Sequence, residues 1–228
     1  MIRNGGVIVR YRLAKEPSTT IENQIFPPTI GSSFAYVVDI SGSMGASSGA
    51  NGMTRQDRLD EALTNSINGL TTKQLFYINA FESGPHPMPT NALVKATQAN
   101  KKTYIDWYLA EPKGGGTDPL DSMTAALDLK PAVIFFMTDG QFSTWPVELV
   151  INAKNSDRKI IIHTICLGEQ FSEAFLKKIA SENGGTYRFI SDDAASVPSR
   201  PGGGGGAVAR PPGPPIDPAI ARTNFLGF

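Results

Sequence analysis

The sequence predicts an α/β protein with a Rossmann-like, open sheet of mostly parallel strands and helices on both faces. Three observations predict this fold class. Short apolar segments alternate along the chain with longer amphipathic segments, which is the order that strand-helix repeats produce. Most of the short segments are apolar at every position, as expected for strands covered on both faces. A repeated strand-helix order also favours right-handed crossovers, and therefore parallel strands.

The predicted strands are the short apolar segments between residues 33 and 191. In chain order they are Phe34–Val38, Leu75–Phe81, Ala132–Met137, Ile160–Leu167 and Thr186–Ile190.

The intervening helices are indicated by apolar stripes and by residues that favour helix ends. Thr54 is a predicted N-cap for a helix over Arg55–Gly69, because its hydroxyl can accept from the first turn. Pro119 favours the first turn of a later helix. The last helix should end at Asn183, before two glycines. Its apolar stripe is predicted to be Phe171, Phe175, Leu176, Ile179 and Ala180.

Composition excludes several classes of protein. The chain has 228 residues, and 40% of them are hydrophobic, which supplies enough apolar surface for a core. The 21 Lys and Arg balance the 21 Asp and Glu, so no general attraction to nucleic acid or to an anionic membrane is expected. Cys166 is the single cysteine, which excludes an intramolecular disulfide and a cysteine-based zinc site.

We divide the chain into four segments. Residues 1–32 are predicted to form an N-terminal arm or edge strand, because apolar Val7, Val9, Tyr11 and Leu13 alternate with their neighbours. Residues 33–191 are the α/β domain. The N-terminus lacks a signal-peptide core, and the apolar run 132–137 is too short to cross a membrane. A soluble, cytoplasmic protein is therefore expected.

The C-terminal segments differ in composition from the domain. Residues 192–215 are rich in glycine and proline, which predicts a flexible or extended linker. Residues 216–228 are more apolar and end in Phe225, Leu226 and Phe228. This tip is either an unstructured end or a docking peptide whose three apolar side chains bind a groove on another subunit.

Other chemically notable residues are expected to have structural roles. His163 and Cys166 lie within one predicted strand, and no nucleophile-base grouping can be built around them. Lys101 and Lys102 are expected on a solvated helix face. Trp145 follows the loop of Asp139. It is expected either on the rim beside that residue, where it would suit a protein interface, or packed against the following helix.

Short oxygen-bearing side chains follow two of the predicted strands and a glycine run. Asp39, Ser41 and Ser43 come directly after the first strand. Thr117 follows three glycines, and Asp139 ends the most apolar strand. Ligands bind beyond the carboxyl ends of strands in an open parallel sheet. All five side chains offer hard oxygen ligands, which favour Mg²⁺, or alternatively Mn²⁺ or Ca²⁺, over zinc or copper. Ordinary turn and cap chemistry is the alternative interpretation of the hydroxyls, but it does not explain Asp139.

The order DISGSM, GGGT and TDG resembles the von Willebrand factor A domain and its metal-ion-dependent adhesion site, over roughly residues 33–191. The resemblance implies that Ser41 and Ser43 bind the cation directly and that Thr117 does so directly or through water. It further implies that Asp39 and Asp139 hold coordinating waters. The final ligand would be an Asp or Glu carboxylate of a partner protein.

The leading hypothesis is a non-enzymatic, divalent-cation-dependent protein-binding module, working within a larger assembly. The alternative is a scaffold subunit that makes its contacts through residues 1–32 and 216–228, with a metal site that only stabilises the fold. An enzymatic role finds little support, because no general base or phosphate-binding lysine motif accompanies the oxygen ligands. The early Pro198 predicts that a C-terminal helix is short or absent.

Overall fold

A computed structural model describes residues 25–46, 52–140 and 142–192 of the chain. Strands and helices alternate as predicted. In chain order they are β1 (Ser33–Asp39), α1 (Arg55–Gly69), β2 (Leu75–Phe81), β3 (Pro85–Pro87), β4 (Val94–Lys95), α2 (Gln98–Ala110), α3 (Leu120–Asp128), β5 (Val133–Thr138), α4 (Thr144–Lys154), β6 (Ile161–Leu167), α5 (Glu173–Glu182) and β7 (Tyr187–Ile190). Every predicted strand is present, with each end within one residue of its predicted position.

The strands form one mixed sheet in the order β3-β2-β1-β5-β6-β7, with β4 also paired to β2. Strands β1, β2, β5, β6 and β7 are parallel, which confirms the predicted fold class. β3 and β4 pair antiparallel with β2. These two strands were not predicted, because segments of three and two residues are too short to show a periodic pattern.

The helices cover both faces of the sheet. On one face, Phe135 stacks on Tyr36 at 5.5 Å between ring centroids, and the Tyr36 hydroxyl lies 2.8 Å from Ser66 Oγ in α1. The neighbouring residue Phe136 points to the opposite face and contacts Phe142 edge-on. The strands therefore have apolar side chains on both faces, as a sheet buried between two helical layers requires.

The helix α1 begins at the predicted cap. Thr54 Oγ1 accepts from Asp57 N at 3.0 Å, and Asp57 Oδ2 accepts from Thr54 N at 2.8 Å. These reciprocal bonds form a capping box, which satisfies two backbone donors at the start of the helix.

Two of the expected side-chain positions are wrong. Phe171 was placed on the apolar stripe of the last helix, but α5 begins only at Glu173, and Phe171 is 58% exposed. Its spacing of four from Phe175 imitates a helical stripe. Lys101 was expected on a solvated face, yet it is buried, and its Nζ donates to the Asn68 carbonyl oxygen at 2.9 Å. Carbonyls at the end of α1 attract this cation.

His163 and Cys166 are buried in β6, as expected for side chains packed in the core. The His163 ring stacks on Phe135, and its Nδ1 accepts from Thr186 N at 3.0 Å. Burial, and then the charge of Arg188, lower the pKa of His163 to about 4. This imidazole is therefore neutral near pH 7.

The first residues that the structure describes lie in the core. Ile25 and Phe26 are buried, and Phe26 contacts Phe135 edge-on at 4.9 Å. The predicted alternation at Val7–Leu13 and the segments 193–215 and 216–228 lie outside the described residues. Within the described ranges, no helix is both long and apolar enough to span a bilayer.

The close approach at Gly185 predicts a large stability difference between two glycine substitutions. A Cβ at Gly185 would lie 1.9 Å from the Ile162 carbonyl oxygen, whereas one at Gly69 would meet nothing within 4 Å. Gly185→Ala is expected to lower the free energy of unfolding by about 2 kcal/mol or more. Gly69→Ala should leave that free energy unchanged or raise it by up to about 1 kcal/mol. Urea denaturation measures both, and equal unfolding midpoints for the two variants would contradict the packing described.

Candidate metal centre

Three loops meet at the carboxyl edge of the parallel strands. The first follows β1, the second is the glycine run before α3, and the third follows β5. Gly42 N donates to the Gly115 carbonyl oxygen at 3.1 Å, and Gly114 N donates to the Ile40 carbonyl oxygen at 2.9 Å. These two backbone bonds tie the first loop to the glycine run.

The serine hydroxyls lie beside each other and beside the third loop. Ser41 Oγ and Ser43 Oγ are 3.2 Å apart, and Ser43 Oγ donates to Asp139 Oδ1 at 2.8 Å. Ser41 is buried, whereas Ser43 is exposed. Oxygens from residues almost a hundred positions apart in sequence therefore meet at the carboxyl edge of the sheet, with Ser43 on its exposed side.

The Asp39 carboxylate is buried and fully hydrogen-bonded. Its Oδ1 accepts from Ser41 N at 2.8 Å, and its Oδ2 accepts from Thr138 Oγ1 at 2.7 Å. Burial raises the pKa of Asp39 to about 6, hydrogen bonds from Ser41 and Thr138 oppose that rise, and the nearby charge of Asp139 adds to it.

The Asp139 carboxylate is also held by the protein. Its Oδ1 accepts from Ser43 Oγ, and its Oδ2 accepts from Arg55 Nη1 at 2.8 Å. The Asp139 side chain has no exposed surface. Both carboxylates are thus directed by protein donors, and of the two serines only Ser43 is exposed to solvent.

Thr117, which follows the glycine run, lies beside the third loop. A Cβ added at Gly140 would lie 3.2 Å from Thr117 Oγ1, so the hydroxyl lies directly beside the loop that carries Asp139. Gly115 has a φ of +77°, and a Cβ there would overlap the Glu82 carboxylate. Glycine is therefore needed at this turn for both conformation and space.

The donor set fits a hard divalent cation. An octahedral site with metal-oxygen distances of about 2.0–2.1 Å has neighbouring ligands roughly 3 Å apart, and the two serine oxygens lie 3.2 Å apart. The set is two carboxylates with three hydroxyls. In the described part of the chain, no three His, Cys, Asp or Glu side chains cluster as a metal site, so a cation here would depend on the hydroxyls.

Two polar residues of the site were missed by the sequence reasoning. Thr138 holds Asp39, and Arg55 holds Asp139. Arg55 had a usable signal: it is the first residue of α1, where the helix dipole disfavours a cation. A cation in that position indicates a nearby carboxylate. No sequence feature indicated a role for Thr138 apart from its position directly before Asp139.

Exposed apolar side chains lie on the segments that leave this edge. Trp145, in the first turn of α4, is 69% exposed, so it does not pack against the helix. Leu149, one turn later, is 48% exposed. Ser172 Oγ donates to the Gly140 carbonyl oxygen at 3.2 Å, so the exposed Phe171 directly precedes a residue that contacts the third loop.

The predicted docking residues Phe225, Leu226 and Phe228 lie outside the described residues, so their role remains a prediction.

Comparison with known proteins identifies a matching family and a similar curated protein. A family model for the von Willebrand factor type A domain matches residues 34–189. Inter alpha-trypsin inhibitor, heavy chain 4, of Mus musculus is 27% identical over 225 residues, which cover 86% of this chain and 23% of the relative. The chain thus spans about a quarter of the length of the curated relatives it matches.

Solved structures with the same fold include proteins with an occupied metal site. A von Willebrand factor type A protein from Catenulispora acidiphila has a TM-score of 0.59 at 22% identity, over 72% of this chain and 39% of that one. Manganese-loaded TRAP protein of Plasmodium vivax scores 0.51 at 19% identity, over 71% and 68%. Proximal thread matrix protein 1 from the mussel byssus, with a zinc-occupied MIDAS motif, scores 0.52 at 20% identity, over 71% and 42%. At these identities the similarity shows the fold alone.

Proposed function

We propose that this chain, which belongs to the von Willebrand factor type A domain family, captures a carboxylate of a partner protein through a bound divalent cation. Domains of that family commonly mediate protein-protein interaction and are generally non-enzymatic. The cation would be held by Ser41, Ser43 and Thr117. The partner would be a protein with an exposed Asp or Glu.

One observation carries this proposal. Ser43 Oγ lies 3.2 Å from Ser41 Oγ and 2.8 Å from Asp139 Oδ1, so hydroxyls and a carboxylate from separate loops meet at the strand edge. An isolated serine turn would account for the first distance but not for the second.

The placement of charge favours an incoming carboxylate. Asp39 and Asp139 each have both oxygens engaged by protein donors, so they are suited to orienting waters or hydroxyls. Neutral hydroxyls remain for direct contact. A cation bound by neutral ligands retains more of its positive charge and supplies electrostatic attraction for an anionic ligand.

The ion is proposed to be Mg²⁺, with Mn²⁺ or Ca²⁺ as alternatives, because all the donors are hard oxygens. The manganese-loaded and zinc-occupied structures of two relatives of the same fold support divalent binding in general. They do not indicate which of these ions this chain binds.

Carboxylate capture predicts a matched difference between acidic peptides and their amide counterparts. Peptides selected by the whole chain in Mg²⁺ should contain Glu or Asp. Changing that residue to Gln or Asn should weaken binding about 10- to 100-fold, as expected for a lost interaction with a charged group. Fluorescence anisotropy with each peptide pair, in Mg²⁺ and in EDTA, measures the effect. EDTA should abolish the difference within each pair.

The control is the full-length chain with Phe225, Leu226 and Phe228 all changed to Ser, which leaves the metal centre intact. Peptide binding should survive in this variant. If the amide peptides bind as tightly as the acidic ones, or EDTA has no effect, the capture mechanism is wrong. Loss of binding only in the triple-Ser variant would instead favour the scaffold alternative.

A further inference from the structure

Arg55 joins the candidate metal centre to the residue that follows the last strand. Its Nη1 donates to Asp139 Oδ2 at 2.8 Å. On its other edge, Nε donates to Asp192 Oδ1 at 2.9 Å, and Nη2 donates to Asp192 Oδ2 at 2.6 Å. One guanidinium therefore bridges two carboxylates that come from different loops.

This arrangement requires arginine. The Arg55 side chain is only 6% exposed, and a buried charge is costly unless it is paired and hydrogen-bonded. A planar guanidinium can bind one carboxylate with two donors while a third donor reaches another carboxylate, whereas a lysine ammonium is a single point of charge. Arg55 also stands at the first position of α1, where the helix dipole opposes it, so the carboxylates supply the compensation. Asp139 and Asp192 are hydrogen-bonded to it, and Glu169 Oε1 lies 3.8 Å from Nη2.

The backbone makes room for the same side chain. Gly168 has a φ of +75°, and a Cβ there would lie 2.0 Å from Arg55 Nε. Arg58, one helical turn from Arg55, donates from Nη1 to the Ser191 carbonyl oxygen at 3.0 Å. The end of β7 is thus fastened to α1 at two neighbouring residues.

We propose that Arg55 is a positioning residue for Asp139, and that Asp192 sets the cation affinity of the metal centre through Arg55. This inference rests on the proposed function. The Asp192 carboxylate accepts two hydrogen bonds from Arg55 and also lies near the charge of Arg58. Because Arg55 is the residue that contacts both carboxylates, we infer that Asp192 acts on Asp139 through its guanidinium.

The direction of the effect follows from charge and from geometry. Without the Asp192 charge, the positive charge of Arg55 beside Asp139 is less fully compensated, because the next carboxylate oxygen, Glu169 Oε1, is 3.8 Å from Nη2, and Arg55 then opposes a cation more strongly. Without its second partner, the guanidinium is also freer to move, and Asp139 Oδ2 loses a fixed donor. Both changes lower cation affinity, and disturbing a group that orients a metal ligand typically costs 10- to 100-fold.

The test compares two substitutions that remove the same charge. Asp192→Asn should weaken Mn²⁺ binding to the full-length chain by about 5- to 30-fold, measured by isothermal titration calorimetry. Asp128→Asn removes a carboxylate that pairs with Lys154 Nζ at 2.5 Å, on α3 and α4. That control should bind Mn²⁺ within about twofold of the parent chain, because it matches the change in net charge at a place away from the centre.

A double-mutant cycle tests whether Arg55 carries the effect. In an Arg55→Gln background, Asp192→Asn should change Mn²⁺ affinity by less than about twofold. Arg55→Lys, which keeps the charge but not the bridge, should weaken binding about as much as Asp192→Asn. The melting temperature without any cation should fall when Asp192→Asn is made in the parent chain, and should fall much less when it is made in the Arg55→Gln background.

The outcomes separate this inference from the proposed function. If the parent chain binds no Mn²⁺, both are wrong. If it binds, and Asp192→Asn behaves like Asp128→Asn or keeps its full effect in the Arg55→Gln background, only the coupling is wrong. A lower melting temperature with unchanged Mn²⁺ affinity would make the bridge purely structural and would also overturn it.

Discussion

Replacing Ser41 and Ser43 together with alanine is expected to reduce divalent-cation affinity at least about 100-fold, since the change removes two of the three hydroxyls proposed to bind the ion directly. Ser43 also donates to Asp139, so the same change releases one oxygen of that carboxylate. Titration of the full-length chain with Mn²⁺, followed by calorimetry, measures the loss.

The fold should survive this double substitution. The Ser41 backbone N–H still donates to Asp39, and the loss of the Ser43 donor to the buried Asp139 should lower the free energy of unfolding without cation by about 1–3 kcal/mol. Ser181→Ala is the matched control, because Ser181 is an exposed serine on α5 whose Oγ contacts only a local carbonyl, that of Lys178. Equal Mn²⁺ affinity in the parent and the double variant would show that the cation binds elsewhere or not at all.

Phe135→Ala is expected to cost about 3–5 kcal/mol of unfolding free energy. Phe135 is fully buried in β5, and its ring contacts Phe26, Tyr36 and His163. Truncation would leave a cavity that these rigid rings cannot close. Because a domain is typically stable by only about 5–15 kcal/mol, urea denaturation followed by circular dichroism should show a large fall in the midpoint.

Phe189→Ala provides the matched comparison. Phe189 lies on β7 and is 37% exposed, so its truncation should cost about 1 kcal/mol or less. A difference between the two variants below about 1 kcal/mol would contradict the assignment of Phe135 to the centre of the core.

The central fold could be predicted from the sequence because the patterns that indicate its strands and helices are local. Strands such as Leu75–Phe81 are apolar at nearly every position, and the N-cap Thr54 is followed by an acidic residue at the correct spacing. The candidate site could be predicted for a related reason: Asp39 and Asp139 each lie at the end of a strand, and parallel strands bring their carboxyl ends to one edge.

The remainder depends on contacts between distant residues. The short strand Pro85–Pro87 exists because β2 offers it an edge to pair with, which no local pattern shows. The partners of Arg55 lie far from it in sequence, at Asp139 and Asp192. Lys101 was misplaced for the same reason, since the carbonyls that bury it belong to the end of another helix.

The crowding between Gly168 and Arg55 has an evolutionary consequence. A side chain at position 168 would both strain a left-handed backbone and occupy the space of the guanidinium. Homologues that retain arginine at position 55 should therefore also retain glycine at 168 and an acidic residue at 192. In lineages that have lost the arginine, the other two positions should be free to drift, so the three should covary as a unit.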